Sequence, residues 1–146
     1  MQKSQLSIFY TDDDPDDQDL FREVIGEMSS AVSLHIQNNG EELLRQLDRD
    51  VPLPGLLFLD LNMPIKNGLE ALKEIKKSVK LRDLPVIIFT TSSDSGAIER
   101  ARELGANLFI TKPSEFLLFK QAINYVLSLD WKTFRAIGNE FIYQGV

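Results

Sequence analysis

The chain contains no cysteine and a single histidine, His35. Disulfide bonds, thiolate metal sites and thiol catalysis are therefore excluded, and so is a metal site built from several histidines of one chain. Lys and Arg number 16 against 22 Asp and Glu, which gives a net charge of −6. This balance argues against a nucleic-acid-binding surface, which needs a basic patch.

Long apolar runs are also missing, since no stretch approaches the ~20 residues that span a bilayer. The short polar start of the chain has no secretory-signal pattern. A cytoplasmic protein without membrane contact is therefore expected. The length of 146 residues suggests one domain with a sizeable core, and the 43% hydrophobic content is typical of globular proteins.

Short apolar runs alternate with segments of helical periodicity along most of the chain. This alternation predicts βαβ units and a parallel sheet, which together form an α/β fold. The predicted strands are residues 6–10, 32–36, 56–59, 85–90 and 107–110. The predicted helices are residues 15–28, 41–47, 69–79, about 94–105, and 114–129.

Four of the predicted strands end on residues that phosphoryl-transfer chemistry uses. Asp12 and Asp13 follow the first strand, and Asp60 follows the third. Thr90 ends the fourth strand, and the fifth leads to Lys112. Because ligands of open parallel sheets bind outside the carboxyl ends of the strands, these side chains are expected to share one pocket.

The carboxylates of this pocket could bind a hard cation, and one of them could act as a nucleophile. Adjacent carboxylates repel one another unless a cation or a helix N-terminus compensates. Mg²⁺ takes oxygen ligands, which Asp12, Asp13, Asp60 and a backbone carbonyl near Asn62 would supply. Asp60 also suits a nucleophile that forms an aspartyl phosphate. Helix capping together with a solvated acidic loop is the alternative, and it is the favoured interpretation for Asp16 and Asp17. For Asp60 the alternative is turn capping.

Thr90 and Lys112 complete the predicted pocket. The hydroxyl of Thr90 can donate to a phosphoryl oxygen, and the Lys112 ammonium would balance the carboxylates and bind a phosphoryl group. The alternatives are the ordinary strand preference of threonine and a surface lysine. The bond between Lys112 and Pro113 is a candidate for the cis form, which X–Pro bonds tolerate.

With these motifs the chain resembles a bacterial response-regulator receiver domain, the chemotaxis-regulator-like phosphoacceptor module of two-component signalling. The resemblance covers roughly residues 5–129. It is carried by Asp12-Asp13, by residues 57–64 with Gly68, by residues 85–90, and by Gly105-Ala106 leading to Lys112-Pro113. It implies a flavodoxin-like, doubly wound sheet of five parallel strands in the order 2-1-3-4-5, with helices on both faces.

The resemblance also implies roles for the pocket residues. Asp60 would accept a phosphoryl group from a sensor histidine kinase or a histidine phosphotransfer protein. Asp12, Asp13 and Asp60 would hold Mg²⁺ together with the backbone carbonyl of Asn62. Thr90 would bond a phosphoryl oxygen after transfer. No turnover of a separate substrate is expected, so the protein would not be an enzyme in that sense.

Three further residues gain expected roles from the same resemblance. Lys112 would contact the phosphoryl group and Asp60. Phe109 occupies the position of the family's switch aromatic beside the switch residue Thr90; because phenylalanine has no hydroxyl, its switching would be steric. Thr91 is bulkier than the alanine often found there and is expected to narrow access to the pocket.

The receiver domain is predicted to span residues 1–129, followed by an extension of residues 130–146 without an output domain. A stand-alone receiver is therefore expected, and its output would be a protein contact with an unknown target. The aromatic residues of the extension would dock on the domain or on a partner, or the segment is a frayed helix end.

Monomer and dimer both remain open. A homodimer would use the face of the fourth and fifth helices, where Phe116, Leu117 and Phe119 cannot all face the core.

Two other function classes compete with this interpretation. A phosphorylation-independent binding module would predict damage to the pocket, and every pocket residue is intact. A flavin-binding protein of the same fold would need a hydroxyl- and glycine-rich loop after the first strand, where this chain has the acidic residues 12–17. The sequence does not separate a chemotaxis-type messenger from a phosphorelay intermediate.

Overall fold

A computed structural model describes residues 6–28, 31–49, 52–134 and 138–144 of the chain. Its sheet has five strands in the order β2-β1-β3-β4-β5, and every neighbouring pair is parallel. The strands are β1 (Leu6–Thr11), β2 (Val32–Gln37), β3 (Leu56–Leu59), β4 (Val86–Thr90) and β5 (Leu108–Thr111). The predicted fold class and strand order are therefore confirmed.

Helices cover both faces of this sheet. They are α1 (Pro15–Gly26), α2 (Gly40–Leu47), α3 (Gly68–Lys77), α4 (Ser95–Glu103) and α5 (Phe116–Ser128), followed by a short 3₁₀ helix, Gly138–Phe141. Side chains of α2, α3 and α4 share one apolar core with the sheet, and those of α1 and α5 share the other. Within the described ranges, no helix has the length and apolar character that a membrane crossing requires.

The central strands β3 and β4 are buried at every position. Their continuous apolar sequences follow from this, because parallel strands in the middle of a doubly wound sheet are covered on both faces. Beneath the carboxyl edge of the sheet, aromatic rings from β1, β3 and β4 and from the helices α1 and α5 pack edge to face. These rings belong to Tyr10, Phe21, Phe58, Phe89 and Phe119.

Side-chain caps fix where four of the helices begin. Asp14 accepts a hydrogen bond from the Asp16 N–H, and Pro15 takes the first helical position of α1. Asn39, Asn67 and Asp94 cap α2, α3 and α4 in the same way. These short polar side chains turn the chain into each helix where it leaves the carboxyl edge of the sheet.

The structure corrects several predicted details. Helix α1 ends at Gly26 and α3 at Lys77, each two residues before its predicted end. Helix α5 begins at Phe116 rather than Ser114, since Glu115 has the extended backbone of a cap residue. The Lys112–Pro113 bond is trans, because no cis peptide bond occurs in the described part of the chain; trans is the favoured form even before proline.

The described part of the extension packs on the domain. The Trp131 ring nitrogen donates to the Val126 carbonyl, and Phe141 is only 2% exposed. Ile142 forms a single parallel bridge with Phe109 of β5. The chain after α5 therefore returns to the outer edge of the sheet. Phe116 and Phe119 of α5 face the core, while Leu117 is exposed, as the crowded apolar pattern predicts.

Candidate functional site

The carboxyl edge of the sheet brings together the residues that follow four strands. Asp12 comes directly after β1, Asp60 directly after β3, Thr90 ends β4, and Lys112 comes directly after β5. Asp12 and Thr90 are fully buried, and Asp60 is 5% exposed. Carboxylates are rarely buried to this extent unless they are paired. The predicted pocket therefore exists as one compact polar cluster.

Lys112 is the centre of this cluster. Its Nζ lies 2.5 Å from Asp12 Oδ2, 2.7 Å from Asp17 Oδ2 and 3.8 Å from Asp60 Oδ2. The alternative of a surface lysine is therefore wrong. Burial works to lower the pKa of Lys112, but the charge of Asp60 and the hydrogen bonds to Asp12 and Asp17 outweigh it and raise the pKa overall. The ammonium stays charged in the pocket.

Asp12 is locked in place by three further contacts. The Tyr10 hydroxyl donates to Asp12 Oδ2. The Asp14 N–H donates to Asp12 Oδ1 at 3.0 Å, and Gln18 Nε2 donates to the Asp12 carbonyl at 2.6 Å. A solvated loop residue has no such set of partners, so the alternative of a solvated acidic loop does not apply to Asp12. The carboxylate is oriented toward Lys112 before any ligand arrives.

Asp17 is a pocket residue that the sequence analysis missed. The sequence favours helix capping and solvated acidic surface for Asp17, but its carboxylate accepts a hydrogen bond from Lys112. The reason is that α1 rises from the same sheet edge and places Asp17 in its first turn. The predicted helix start at Pro15 is the signal that could have identified Asp17, because the start of a helix determines which residues of its first turn face the sheet edge.

Asp60 is held at the floor of the pocket by its neighbours. Its Oδ1 accepts the Leu61 N–H at 2.8 Å, and its own N–H donates to the Thr11 carbonyl at 3.0 Å. Burial raises the pKa of Asp60 to about 6, while the charge of Lys112 opposes the shift and that of Asp12 adds to it. At neutral pH Asp60 is a desolvated carboxylate, which is a competent nucleophile.

The Thr90 hydroxyl is a donor in need of an acceptor. Its Oγ1 is buried and makes no hydrogen bond of full geometry among the described residues, although it lies close enough to the Asp60 carboxyl to oppose the rise that burial causes in the pKa of that group. Leaving a buried polar group unpaired costs about 1–3 kcal/mol, so such a group calls for an explanation. A ligand oxygen in the pocket would satisfy it.

The carboxylates also fit a divalent cation. Single ligand oxygens of Asp12, Asp13 and Asp60 all lie within 4.8 Å of one another. Asp13 is exposed, and it lines the same cavity as Asn62. An all-oxygen donor set of carboxylates open to water on one side is what a hard cation such as Mg²⁺ prefers.

The loop after Asp60 is tightly turned against it. A Cβ on Gly68 would lie 2.1 Å from the Asp60 carbonyl oxygen, and the Gly68 N–H donates to the Leu61 carbonyl at 3.0 Å. Ile65 in the same loop has φ of 69° and is 74% exposed. A β-branched residue in this left-handed conformation is strained. The loop therefore holds its shape against a local backbone preference.

The predicted switch residues lie on one face of the sheet. Phe109 of β5 is opposite Ile88 of β4 in the parallel register, and Thr90 is two residues further along β4. Alternate residues of a strand point to the same face, so Phe109 and Thr90 are diagonal neighbours. Phe109 is fully buried. Thr91 is exposed.

This fold, with a carboxylate cluster at the carboxyl edge of a 2-1-3-4-5 sheet, is that of a class of signalling proteins, the receiver domains. The chain belongs to the response regulator receiver domain family, whose model matches residues 8–124. The resemblance found in the sequence motifs is thereby confirmed.

Similar proteins match over most of the chain. Response regulator Rcp1 from Synechocystis sp. is 33% identical over 110 residues, which are 72% of this chain and 75% of that protein. Polar-differentiation response regulator DivK from Brucella anthropi is 32% identical over 121 residues, 83% of this chain and 95% of that protein.

Two solved structures share the fold closely. The Mn(2+)-bound form of response regulator Rcp1 has a TM-score of 0.79 at 28% identity and covers 91% of this chain and 99% of its own. The phosphorylated cyanobacterial phytochrome response regulator RcpA has a TM-score of 0.81 at 26% identity, and the match covers 88% of this chain and 95% of that one. This protein is thus the receiver domain of a response regulator, and its acidic cluster fits divalent metal binding.

Proposed function

We propose that this protein is a phosphoacceptor switch of a two-component or phosphorelay system. In this proposal Asp60 receives a phosphoryl group from a histidine kinase or a histidine phosphotransfer protein. The observation that carries the proposal is the placement of Asp60, whose nearly buried carboxylate lies 3.8 Å from the Lys112 ammonium and shares a 4.8 Å cluster with oxygens of Asp12 and Asp13. The phosphorylated state of the similar protein RcpA supports it.

The transfer is a displacement at phosphorus. A carboxylate oxygen of Asp60 forms a bond to the phosphorus of the donor phosphohistidine as the P–N bond breaks, and the electron pair of that bond leaves with the imidazole nitrogen. Lys112, held by Asp12 and Asp17, attracts the phosphoryl oxygens as a fixed point charge. Thr90 donates its unused hydroxyl hydrogen to one of those oxygens.

We infer that the cofactor of this reaction is Mg²⁺, and the carboxylate cluster of Asp12, Asp13 and Asp60 supports this. Asp12, Asp13, Asp60 and the carbonyl of Asn62 would hold the ion. When bound, it supplies positive charge that screens the carboxylates from the incoming phosphoryl oxygens. The ion would also neutralise the charge of Asp13, which is exposed.

The output of the switch is a changed protein contact. A hydrogen bond from Thr90 to the phosphoryl group would move Thr90 and repack Phe109, its diagonal neighbour, by steric means alone. The surface formed by α4, β5 and α5 would change with it, and a homodimer through α4 and α5 remains a prediction of this scheme. The proposal places this signalling in the cytoplasm, without nucleic acid and without turnover of a separate substrate.

The test is phosphorylation by a small donor. We would incubate the protein with acetyl phosphate and Mg²⁺ and measure its intact mass. The expected result is a gain of one phosphoryl group that is absent in Asp60→Asn and after prior addition of a chelator. Asp48→Asn is the matched control, because Asp48 is an exposed carboxylate at the far end of α2.

A folded protein that gains no mass from acetyl phosphate, nor from a phosphorylated histidine phosphotransfer protein, would contradict the proposal. That outcome would favour a binding module that keeps the receiver fold without the switch. Phosphorylation that persists in Asp60→Asn would place the acceptor elsewhere.

A further inference from the structure

The C-terminal clamp, defined here as residues 138–144, lies against the strand that carries Phe109. We propose that this clamp is docked when Asp60 is unphosphorylated, is released when Asp60 is phosphorylated, and thereby restrains the switch. The inference rests on the proposed function and adds a regulatory element to it.

The backbone of the clamp occupies the free edge of the sheet. Ile142 forms a parallel bridge with Phe109, and the Tyr143 N–H donates to the Phe109 carbonyl at 2.9 Å. β5 is the last strand of the sheet, so its outer edge would otherwise present unpaired backbone groups. The clamp thus covers an edge to which an extended segment binds readily.

Side chains of the clamp contact the elements on either side of β5. The Phe141 ring lies 6.4 Å from the Phe109 ring, centroid to centroid, and the Arg102 guanidinium of α4 lies 4.6 Å from the centroid of Phe141. On the other side, the rings of Tyr143 and Tyr125 of α5 are 5.0 Å apart. The clamp therefore joins α4, β5 and α5.

Phe109 is the residue through which the clamp and the pocket communicate. Its ring shares one apolar core with Ile88 and Phe141, and Thr90 follows Ile88 on the same face of the sheet. When a phosphoryl oxygen accepts the hydrogen bond of Thr90, that side chain moves toward Asp60. Because protein interiors are close-packed, Phe109 then repacks toward the space that Thr90 leaves.

This movement weakens the clamp. Phenylalanine has no hydroxyl that could anchor an outward position, so packing holds the Phe109 ring, and the contact with Phe141 is its packing on the clamp side. Repacking of the ring removes that contact. The clamp then keeps its bridge and hydrogen bond to β5 and its contacts with Arg102 and Tyr125, and it is held more weakly than before. By linkage, a clamp that prefers the unphosphorylated arrangement disfavours the phosphorylated one by the same factor.

The first measurement follows the clamp directly in the full-length chain. Hydrogen exchange of the Tyr143 amide is recorded by NMR with Mg²⁺, before and after addition of beryllium fluoride, a tetrahedral mimic of the phosphoryl group. We expect exchange to accelerate at least about fivefold, the lower end of typical allosteric couplings. No acceleration is expected in Asp60→Asn.

The second measurement is the reciprocal effect. Phe141→Ala is expected to lower the beryllium fluoride concentration at half saturation at least about fivefold. Gln144→Ala, which changes an exposed side chain of the same segment, is the matched control and is expected to leave it unchanged. Tyr143→Pro removes the donating N–H and provides a second variant should Phe141→Ala fail to fold.

The outcomes separate this inference from the proposed function. Wild-type protein that binds beryllium fluoride, with unchanged Tyr143 exchange and unchanged half saturation in the folded clamp variants, would overturn the clamp alone. Slower Tyr143 exchange on binding would also overturn it, since the clamp would then tighten. Wild-type protein that neither binds beryllium fluoride nor gains a phosphoryl group in mass would overturn both.

Discussion

Asp60 is the residue whose protonation links the chemistry of the pocket to the stability of the fold. Burial is the main reason why its pKa rises from 3.8 to about 6. The folded protein therefore binds this proton more tightly than the unfolded chain does. The stabilisation that the proton provides is complete below pH 3.8 and is lost as the pH rises through about 6.

Asp60→Asn removes the loss of stability that the wild type shows as Asp60 gives up its proton. In the presence of a chelator, the variant is expected to exceed the wild type in free energy of unfolding by about 1–3 kcal/mol at neutral pH, from about 1.4 kcal/mol for each unit of pKa shift. Near pH 3.8 the advantage should disappear. Urea denaturation across this range measures it, with Asp48→Asn as the exposed control. An advantage that is constant with pH would contradict the assignment.

Ile65 tests whether the loop beside Asp60 stores strain. Because φ of 69° suits asparagine better than a β-branched residue, Ile65→Asn is expected to raise the free energy of unfolding by about 1 kcal/mol. Val79→Asn is the matched control: Val79 is 80% exposed and does not have a positive φ. Equal effects of the two substitutions in urea denaturation would mean that surface polarity, not strain, is responsible.

The residues of the pocket differ in how far the sequence predicts them. Asp12, Asp60 and Lys112 were predictable because each directly follows an apolar strand, and parallel strands end at one edge. Asp17 was missed, since its role depends on which side of α1 faces Lys112. The contact of Phe141 with Phe109 depends on the path of the chain after α5, which no local pattern specifies.

At the scale of elements, the central strands β3 and β4 were the most predictable parts, because they are buried on both faces. β3 was predicted with its observed bounds because its apolar run coincides with the buried segment. The end of α1 was misplaced because Met28, beyond the helix, still packs against the core and so continues the apolar periodicity. The end of α3 was misplaced at Val79, an apolar residue that is in fact exposed.

Replacing glycine by alanine is expected to have opposite effects on stability at Gly68, where α3 begins, and at Gly26, where α1 ends. Gly68→Ala places a Cβ 2.1 Å from the Asp60 carbonyl oxygen, so α3 must shift and about 3 kcal/mol of stability should be lost. Gly26 in α1 has no atom within 4 Å of the added Cβ, so Gly26→Ala should gain about 0.5–1 kcal/mol. Urea denaturation gives both values. A tolerated Gly68→Ala would show that α3 docks less tightly on β3 than this contact requires.

At the scale of the whole molecule, the pocket works against the rest of the fold. Two apolar cores hold the sheet, while at its carboxyl edge four aspartates, Asp12, Asp13, Asp17 and Asp60, meet around Lys112. Like charges at close range destabilise the compact state. The sheet thus holds the carboxylates closer together than their mutual repulsion favours. A bound cation should offset this repulsion and raise the free energy of unfolding.

Mg²⁺ is therefore expected to stabilise the whole domain. At ten times its dissociation constant the gain should be about 1.4 kcal/mol, as mass action requires for one site that exists only in the folded state. Because Asp60 must lose its proton to act as a ligand, the gain should grow as the pH rises through about 6. Urea denaturation measures it in wild type, Asp13→Asn and the control Asp48→Asn. Loss of the gain in Asp13→Asn alone places the ion in the pocket; an equal gain from NaCl at matched ionic strength would instead reduce the effect to screening of the acidic surface.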